Sequence, residues 1–180
     1  MLKLEVSEGL YLRSFNIDDT EVLMDCIHCN TAHLQTWIPW INPQNHLGQV
    51  QEFIHQQMQS LEHQEGMMLG IFKEEELVGM AGLQKWDHNL SMAEIGFWIS
   101  QKHLRKGLMT QALERIIHFG FLDMQLQRVT ATFPIANVKA HKLLERLGFK
   151  VEGVLRNHML HHGLKTNMVV MGYLTEEWVR

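Results

Sequence analysis

Several features that mark particular classes of protein are missing from this sequence. Its longest apolar runs are interrupted by charge or glycine before about 18 residues, and residues 1–5 lack the apolar core of a signal peptide. The chain also has no face rich in lysine and arginine, and its net charge is −4 at pH 7. We therefore expect a cytoplasmic protein with neither a membrane nor a nucleic acid as partner. The acidic balance is compatible with cationic amines as substrates.

Cysteine is scarce, and the two present, Cys26 and Cys29, form a C-x-x-C sequence. They lie inside a helical pattern instead of at a strand-to-helix junction, and no second pair accompanies them. His28 and His33 do not complete a familiar ligand spacing. We therefore predict no metal site and no redox pair, and we interpret both thiols as packing residues.

The periodicity of the apolar residues predicts a single α/β domain over residues 1–180, classed as α+β by some schemes. The apolar fraction of 46% is sufficient for a full core. We expect a mixed, twisted central sheet of about six to seven strands with helices on both faces. Strands are predicted near residues 10–15, 68–72, 77–83, 93–99, 128–133, 150–158 and 165–174, helices near 18–30, 47–61, 109–121 and 137–147, and a pivot between the last two strands at His162–Gly163.

Local signals refine this outline at three points. Asp18 followed by Glu21 resembles a capping box at the start of the first helix. Gly96, inside a predicted strand, indicates a bulge or the close approach of another backbone. In the last helix we expect Val138 to face the core together with the other apolar residues.

The most informative segment is Leu104–Thr110, which connects a predicted strand to a long amphipathic helix. A glycine in such a turn lets backbone N–H groups face outward, and the N-terminus of the helix adds positive partial charge. Arg105 and Lys106 contribute two cationic side chains. The segment therefore predicts a site for a phosphate or diphosphate, and hence a phosphate-bearing cofactor.

A series of segments then becomes recognisable: residues 93–99, 106–113, 137–149 and 152–156, preceded by residues 34–40. In this order they resemble the GNAT acetyltransferase superfamily, and within it the RimJ/RimL-like branch of ribosomal-protein N-terminal acetyltransferases. The resemblance spans nearly the whole chain. It implies a GNAT-like fold and an N-acetyltransferase in which an amine attacks the thioester of acetyl-CoA directly, without a covalent acyl-enzyme.

The chain departs from the family pattern at five positions. Leu104 stands where the cofactor turn usually has glutamine or arginine, Arg105 replaces a frequent glycine, and Met109 occupies a position for glycine or alanine. Because main-chain N–H groups hold the diphosphate, we expect binding to tolerate these changes. Ala140 lies where the branch often has serine, and Leu144 where many members have a tyrosine that protonates the leaving thiolate. No side-chain general acid is evident.

The resemblance also implies which residues contact acetyl-CoA. The strand near Ile99 pairs with the pantetheine arm, an N–H near Phe97 or Ile99 stabilises the oxyanion of the tetrahedral intermediate, and Asn137 touches the cofactor. An ordinary helix N-cap explains Asn137 equally well, and a solvated helix lysine is an alternative for Lys142, which could reach a CoA phosphate. The predicted cofactor contacts are Phe97, Ile99, Arg105, Lys106, Gly107, Leu108, Met109, Thr110, Asn137 and Lys142.

Glu94 is the candidate catalytic base, acting directly or through one water, because its strand faces the acetyl group in this architecture. A structural carboxylate is the alternative interpretation. Trp37 and Trp40 bracket Pro39 in a loop where aromatic side chains could line the substrate cleft, and burial as core anchors remains the other interpretation.

The acceptor is expected to be a protein N-terminal amine, as in the RimJ/RimL-like branch. Deprotonating an α-amine of pKa about 7.7 to 8.0 at pH 7 costs about 1 kcal/mol, against about 4.6 kcal/mol for a lysine amine near pKa 10.4. Two alternatives stay open: a small amine such as a polyamine or an amino-sugar antibiotic, and a regulatory CoA-binding domain without turnover. Strand edges and an apolar surplus are compatible with a homo-oligomer.

Overall fold

The computed structural model describes residues 1–161 and 163–178, and its main feature is one eight-stranded sheet. The strands are β1 (Lys3–Ser7), β2 (Leu10–Ser14), β3 (Met67–Lys73), β4 (Glu76–Asp87), β5 (Met92–Ile99), β6 (Arg128–Pro134), β7 (Lys150–His161) and β8 (Leu164–Leu174). Their spatial order is β1-β2-β3-β4-β5-β6-β8-β7. Neighbouring strands are antiparallel except β5 and β6, which are parallel.

Helices cover both faces of this sheet. The helices are α1 (Thr20–Leu34), α2 (Leu47–Glu62), α3 (Leu108–Leu122) and α4 (Val138–Arg146), and short 3-10 helices span Ile17–Asp19, Gln101–His103 and Thr175–Glu177. Helices α3 and α4 pack on one face and share a core cluster with it, while α1 and α2 form a second cluster on the other face. Among helices in the described part of the chain, none has both the length and the apolar content that a bilayer crossing requires.

The predicted fold class is confirmed, with one strand more than expected. The additional strand, β1, forms a hairpin with β2 through a turn at Gly9, whose φ is +67°. Sequence periodicity did not reveal it because the strand is short and buries only Leu4, while Lys3 and Glu5 remain exposed.

Two predicted local signals are wrong in detail. The capping box consists of Asn16 and Asp19, which begin the short 3-10 helix before α1, rather than Asp18 and Glu21. Strand β5 has no bulge at Gly96, because its register with β4 is continuous there. The irregularity lies in β4 instead, where the register shifts between residues 84 and 87.

The last helix and the final hairpin also differ in detail from the prediction. The side chain of Val138 is exposed, not directed into the core. Of the predicted pivot between β7 and β8, His162 lies outside the described residues, and Gly163 adopts a φ of +76°.

An ion pair fixes the start of the α1–α2 layer to the sheet. The guanidinium of Arg13 donates to both carboxylate oxygens of Asp19, at 2.7 and 2.6 Å, and the backbone N–H of Asn16 donates to the same carboxylate at 2.8 Å. Burial raises the pKa of Asp19, but these hydrogen bonds outweigh it and hold the pKa below its ordinary value of 3.8. Since Asp19 is only 7% exposed, losing one partner would leave a poorly solvated charge.

Candidate active site

A wedge-shaped cleft opens in the sheet where β5 and β6 separate. The two strands pair in parallel from Met92 and Arg128 to Glu94 and Thr130, and the pairing ends there. Beyond this point β5 continues to Ile99, and β6 continues to the end of its own range. The facing edges of both strands are therefore unpaired in the second half of β5, and Glu94 lies where the cleft begins.

The unpaired edge of β5 presents backbone hydrogen-bonding groups to the cleft. The N–H of Ser100 donates to the carbonyl of Val78, at 2.8 Å, and so points toward β4. Because backbone groups alternate between the two sides of a strand, the N–H and C=O groups of Ile95, Phe97 and Ile99 point the other way. The predicted contact residues Phe97 and Ile99 thus have the backbone orientation that their assigned role requires.

The N-terminus of α3 lies just after the end of β5 and has the properties of an anion site. Gly107 precedes the helix in the left-handed conformation, with φ of +76° and no side chain to cap the helix. The first helical hydrogen bond runs from Gln111 N–H to Gly107 O, at 3.2 Å. The N–H groups of Leu108, Met109 and Thr110 therefore precede the hydrogen-bonded helix and are available to a ligand.

The side chains around this turn leave room for a diphosphate. Arg105 and Lys106 are exposed, and a Cβ added to Gly107 would meet only Gln111 Nε2, at 3.8 Å. Met109 differs, because its side chain is buried in the core and only its backbone N–H could reach a ligand. Leu104 packs against the same core cluster and anchors the turn by an apolar contact. The turn therefore fits the diphosphate of a nucleotide cofactor.

Buried polar contacts brace the segment between β5 and this turn, which the sequence analysis did not identify. Asn30 of α1 accepts a hydrogen bond from Gln101 N–H, at 2.7 Å. Ser100 Oγ lies 2.8 Å from His103 Nδ1, and both residues are buried. Burial also lowers the pKa of His103, while the nearby Glu76 opposes that shift. The one sequence signal for the contact with Gln101 is that Asn30, a polar residue, lies within the apolar stripe of α1.

Glu94 lies on the α1–α2 side of the sheet. Its neighbours Ala93 and Ile95 belong to the α3–α4 cluster, and alternate residues of a strand face opposite sides. The carboxylate is 20% exposed and accepts a hydrogen bond from Lys85 Nζ, at 3.1 Å. Lys85 reaches it from the irregular part of β4, where its φ is +54°.

The two predicted contacts on α4 have different surroundings. Asn137 caps the helix, and its Oδ1 accepts the Ala140 N–H at 3.1 Å. A contact with a cofactor would therefore use Asn137 Nδ2. Lys142 is exposed one turn further along. Leu144 is fully buried in the core, so this position supplies packing and no proton.

His33, in the last turn of α1, is a further polar residue beside the cleft that the sequence analysis did not select. Burial and the charge of Lys139 lower its pKa, and a hydrogen bond with the Ile99 backbone opposes the shift. The end of α1 therefore touches the open edge of β5 and faces α4. No local sequence signal could reveal this contact, because the residues that form it are far apart in the chain.

The loop after α1 carries the two predicted substrate-contact tryptophans. Trp37 is partly buried, whereas Trp40 is 44% exposed and stacks on Phe53 of α2, with ring centroids 5.4 Å apart. The two tryptophans therefore differ in exposure: Trp40 has an exposed ring, and the partly buried Trp37 lies closer to the C-terminal end of α1.

The two cysteines of α1 also differ from each other. Burial raises the pKa of the Cys26 thiol to about 12, and its Sγ lies 3.5 Å from the Leu77 carbonyl oxygen. Cys29 is exposed, so the interpretation as a packing residue is wrong for this thiol. Within residues 1–161 and 163–178, no group of three or more His, Cys, Asp or Glu side chains could hold a metal ion.

Comparison with known proteins agrees with this geometry. The family description "Acetyltransferase (GNAT) domain" matches residues 9–150. A ribosomal-protein-serine acetyltransferase of Escherichia coli K12 is 31% identical over 157 residues, which cover 85% of this chain and 86% of that protein. An alanine N-acetyltransferase of E. coli K12 named for ribosomal protein uS5 is 26% identical over 186 residues, covering 96% and 91% of the two chains.

A solved structure extends the likeness to the fold. RimL, a ribosomal L7/L12 alpha-N-protein acetyltransferase in complex with coenzyme A, superposes with a TM-score of 0.93 at 18% identity. The match covers 98% of this chain and 100% of that one. Because the family match covers most of the sequence, the chain belongs to the GNAT acetyltransferases, enzymes that transfer an acetyl group from acetyl-CoA to an amine.

Proposed function

We propose that residues 1–180 form one catalytic domain that acetylates the N-terminal α-amine of a protein. The observation that carries this proposal is the cleft between β5 and β6, which has a carboxylate at its closed end and an anion site beyond its open end. The relatives described above are named for ribosomal proteins, which favours such an acceptor over a polyamine or an amino-sugar antibiotic. An acceptor that is itself a ribosomal protein would place the enzyme in the cytoplasm.

Acetyl-CoA supplies an activated thioester, and the chain has to hold it in a fixed position. The N–H groups at the start of α3 would take its diphosphate, with Arg105 and Lys106 adding charge. The free edge of β5 at Phe97 and Ile99 would pair with its amide groups as an added strand does. Asn137 and Lys142 lie on α4 as further contacts with the cofactor.

Glu94 would accept the proton of the incoming amine. Its carboxylate faces the α1–α2 side, whereas α3 and α4 occupy the side from which the diphosphate is held. The acceptor would therefore enter from the α1–α2 side and meet Glu94 where the cleft begins. An α-amine needs only about 1 kcal/mol to lose its proton at pH 7, so a single carboxylate is sufficient as the base.

The backbone of β5 would stabilise the negative charge that develops on the acetyl oxygen. The N–H of Phe97 points into the cleft and lies closer to Glu94 along the strand than that of Ile99. Leu144, which is fully buried in the core, cannot supply the proton that the family resemblance assigns to a tyrosine at this position. Since a thiol has a pKa near 8.5, its thiolate is a weak enough base to leave without prior protonation.

Acetyl transfer to matched peptides tests the acceptor. Purified protein with acetyl-CoA would be given two peptides of one sequence, one with a free N-terminus and one with a blocked N-terminus and a free lysine, and spermidine. We expect CoA release and a single added acetyl group with the free N-terminus only. Equal or faster transfer to the lysine amine or to spermidine would contradict an α-amine acceptor.

A further inference from the structure

The α1–α2 layer differs from the rest of the molecule in charge. Between Arg13 and Lys73 the chain contains no lysine or arginine. This stretch includes α1, α2 and the loop that joins them, which together cover one face of the sheet. Its acidic residues are Asp18, Asp19, Glu21, Asp25, Glu52, Glu62 and Glu65.

The opposite layer and the diphosphate turn carry the cations instead. In GNAT chemistry this side binds an anionic nucleotide, and its positive charge matches that ligand. Residues 14–72 have the reverse bias, with five histidines as their other ionisable nitrogen groups. The cations that face this layer come from other elements: Lys85 pairs with Glu94, and Lys102 lies near Cys26 of α1. The cations on the donor side are Arg105, Lys106, Arg115, Lys139, Lys142 and Arg146.

A solvent-open cavity of about 470 Å³ lies within the cation-free layer. Trp40 and Phe53 form a stacked aromatic wall, with planes 23° apart. Glu52 is the one carboxylate in the lining, and Gln56 Nε2 donates to it at 3.1 Å. The remaining lining residues are uncharged or histidine: Asn45, His46, Gly48 and Gln49. An aromatic face beside a single carboxylate is a combination that binds an ammonium or guanidinium group.

Hydrogen bonds tie this cavity to the cleft. The loop that carries Trp40 is fixed to the end of α1 by Ile38 N–H, which donates to the Leu34 carbonyl at 2.9 Å, and by contact between His28 and the Asn45 carbonyl at 3.1 Å. The same helix holds the end of β5 through Asn30. The cavity therefore belongs to the layer that braces the end of β5, on the side of the sheet toward which Glu94 points.

We propose that this cavity binds a lysine or arginine side chain of the acceptor polypeptide, a few residues after the N-terminal amine that is acetylated. The proposal rests on the proposed function and names its substrate class: proteins with a cationic N-terminal segment. The aromatic wall takes the cationic head, Glu52 neutralises its charge, and the amide side chains of the cavity remain for the peptide backbone.

Peptide pairs provide the test. Ten-residue peptides with a free N-terminus would carry either lysine or uncharged norleucine at one position from 3 to 7, and kcat, KM and calorimetric Kd would be measured at pH 8 in low salt. We expect the KM and Kd of the lysine peptide to be about fivefold lower than those of its norleucine partner at the best position. The kcat values should be similar, since the cavity lies away from the thioester.

Variants of the lining residues test whether the preference for the lysine peptide arises in the cavity. Glu52→Gln should remove most of the lysine preference, and Trp40→Ala should do the same, whereas Trp40→Phe should retain part of it. Glu62→Gln, which removes a carboxylate from the same helix outside the cavity, is the matched control and should keep the preference.

Two results would overturn the docking site: equal KM and Kd for lysine and norleucine peptides at every position, or a preference that Glu52→Gln and Glu62→Gln reduce equally. Failure of the proposed function has a different signature. Peptides that bind with a preference dependent on Glu52, but are never acetylated, would refute the catalytic proposal and support the docking site.

Discussion

The donor side and the acceptor side of the sheet are built in different ways. The turn at Gly107 is one continuous segment, Leu104–Thr110, whose backbone conformation and following helix leave N–H groups available to an anion. The α1–α2 side has no comparable segment. Its features are distant in sequence: Glu94 lies on β5, and packing brings Trp40, in a loop, to the cavity that Glu52 and Phe53 of α2 also line.

This difference reflects the chemistry of the two ligands. A diphosphate is recognised by main-chain N–H groups, which every residue except proline can provide, so the side chains of the turn are free to vary. Leu104, Arg105 and Met109 depart from the usual pattern without removing those groups. An acceptor is recognised by side chains, so the acceptor face is the part that distinguishes one acetyltransferase from another.

The largest expected effect is on the acceptor side, from Glu94→Gln. The variant keeps the shape and hydrogen-bonding capacity of the side chain but cannot accept the proton of the amine. We expect kcat/KM for a peptide α-amine at pH 7 to fall by about 10² to 10⁴-fold, with the Kd of CoA nearly unchanged.

Raising the pH provides a control for this experiment. Above the pKa of the α-amine, about 8, most of the acceptor is already deprotonated, so the deficit of Glu94→Gln should shrink. An exposed carboxylate on α4 serves as comparison, through Glu145→Gln, which should behave like the wild type. Unchanged activity in Glu94→Gln would refute the assignment of the base.

Next in size is the effect of Asp19→Asn on stability, since it breaks the ion pair that fixes the α1–α2 layer. Removing one partner of a fully buried pair costs about 3 to 5 kcal/mol, and the partial exposure of Arg13 reduces this to about 2 to 3 kcal/mol. Thermal unfolding should show a midpoint lower by about 5 to 10 °C. A loss below about 0.5 kcal/mol would contradict this role of the pair.

The pH dependence of stability follows from the same pair. The pKa of Asp19 is lowered in the folded state, so the pair stabilises the fold above the unfolded pKa of about 3.9. That contribution is lost as the pH falls from about 4 through the folded pKa. Asp19→Asn should therefore show a smaller loss of stability than the wild type over this acidic range.

On the donor side, Arg105→Gly should have two smaller effects of opposite direction: a more stable fold and weaker binding of CoA. Arg105 has a φ of +62°, a left-handed conformation that costs other residues about 1 kcal/mol and costs glycine little. The variant should gain up to about 0.5 kcal/mol of stability, after the greater flexibility of unfolded glycine is subtracted. Loss of the cation should raise the Kd of CoA about threefold, and less at high salt.

Gly107→Ala changes the backbone of the same turn without removing a charge. Comparing it with Arg105→Gly separates the contribution of backbone conformation to CoA binding from that of charge. Its φ of +76° disfavours alanine by about 1 kcal/mol, although the nearest side-chain atom leaves space for the Cβ. We expect lower stability and weaker CoA binding together, with no change in salt dependence. If both variants altered CoA binding with the same salt dependence, the division into backbone and charge would be wrong.

The smallest effect concerns the two thiols of α1. Because burial raises the pKa of Cys26 to about 12, this thiol stays protonated near pH 8, whereas Cys29 is exposed. Iodoacetamide should add one group to the native protein and two to the unfolded protein, as read by mass spectrometry. In Cys29→Ser the native protein should take up none, and rapid labelling of Cys26 there would contradict its burial.

Much of the fold could be predicted from the sequence because its signals are local. The apolar stripe of α3 and the N-cap at Asn137 both appear where expected. Strand β1 was missed since it buries a single large residue. Gly96 was misinterpreted because a glycine in a strand can accommodate neighbouring side chains, here Gln84 and Met68, as well as a bulge.

The site could be predicted only in part, because sequence signals are local and only some of its residues are neighbours in the chain. The turn at Gly107 was found because its residues are consecutive, and Glu94 was selected through the family pattern. Ser100 and His103 are only three residues apart, but apolar periodicity does not indicate a buried polar contact within an irregular segment. Asn30 was not found, because its contact with Gln101 joins α1 to the segment after β5 across 71 residues of chain. Such contacts follow from how the layers pack, which periodicity does not specify.

The sequence by itself determined the order of the helices and of every strand except β1, the turn before α3 and the family, because each depends on neighbouring residues or on a series of motifs along the chain. Tertiary structure decided where β5 and β6 part, which side of the sheet Glu94 faces, and that Trp40, Phe53 and Glu52 line one cavity. These are properties of strand pairing and of packing between layers, and they exist only once distant segments of the chain have been brought together.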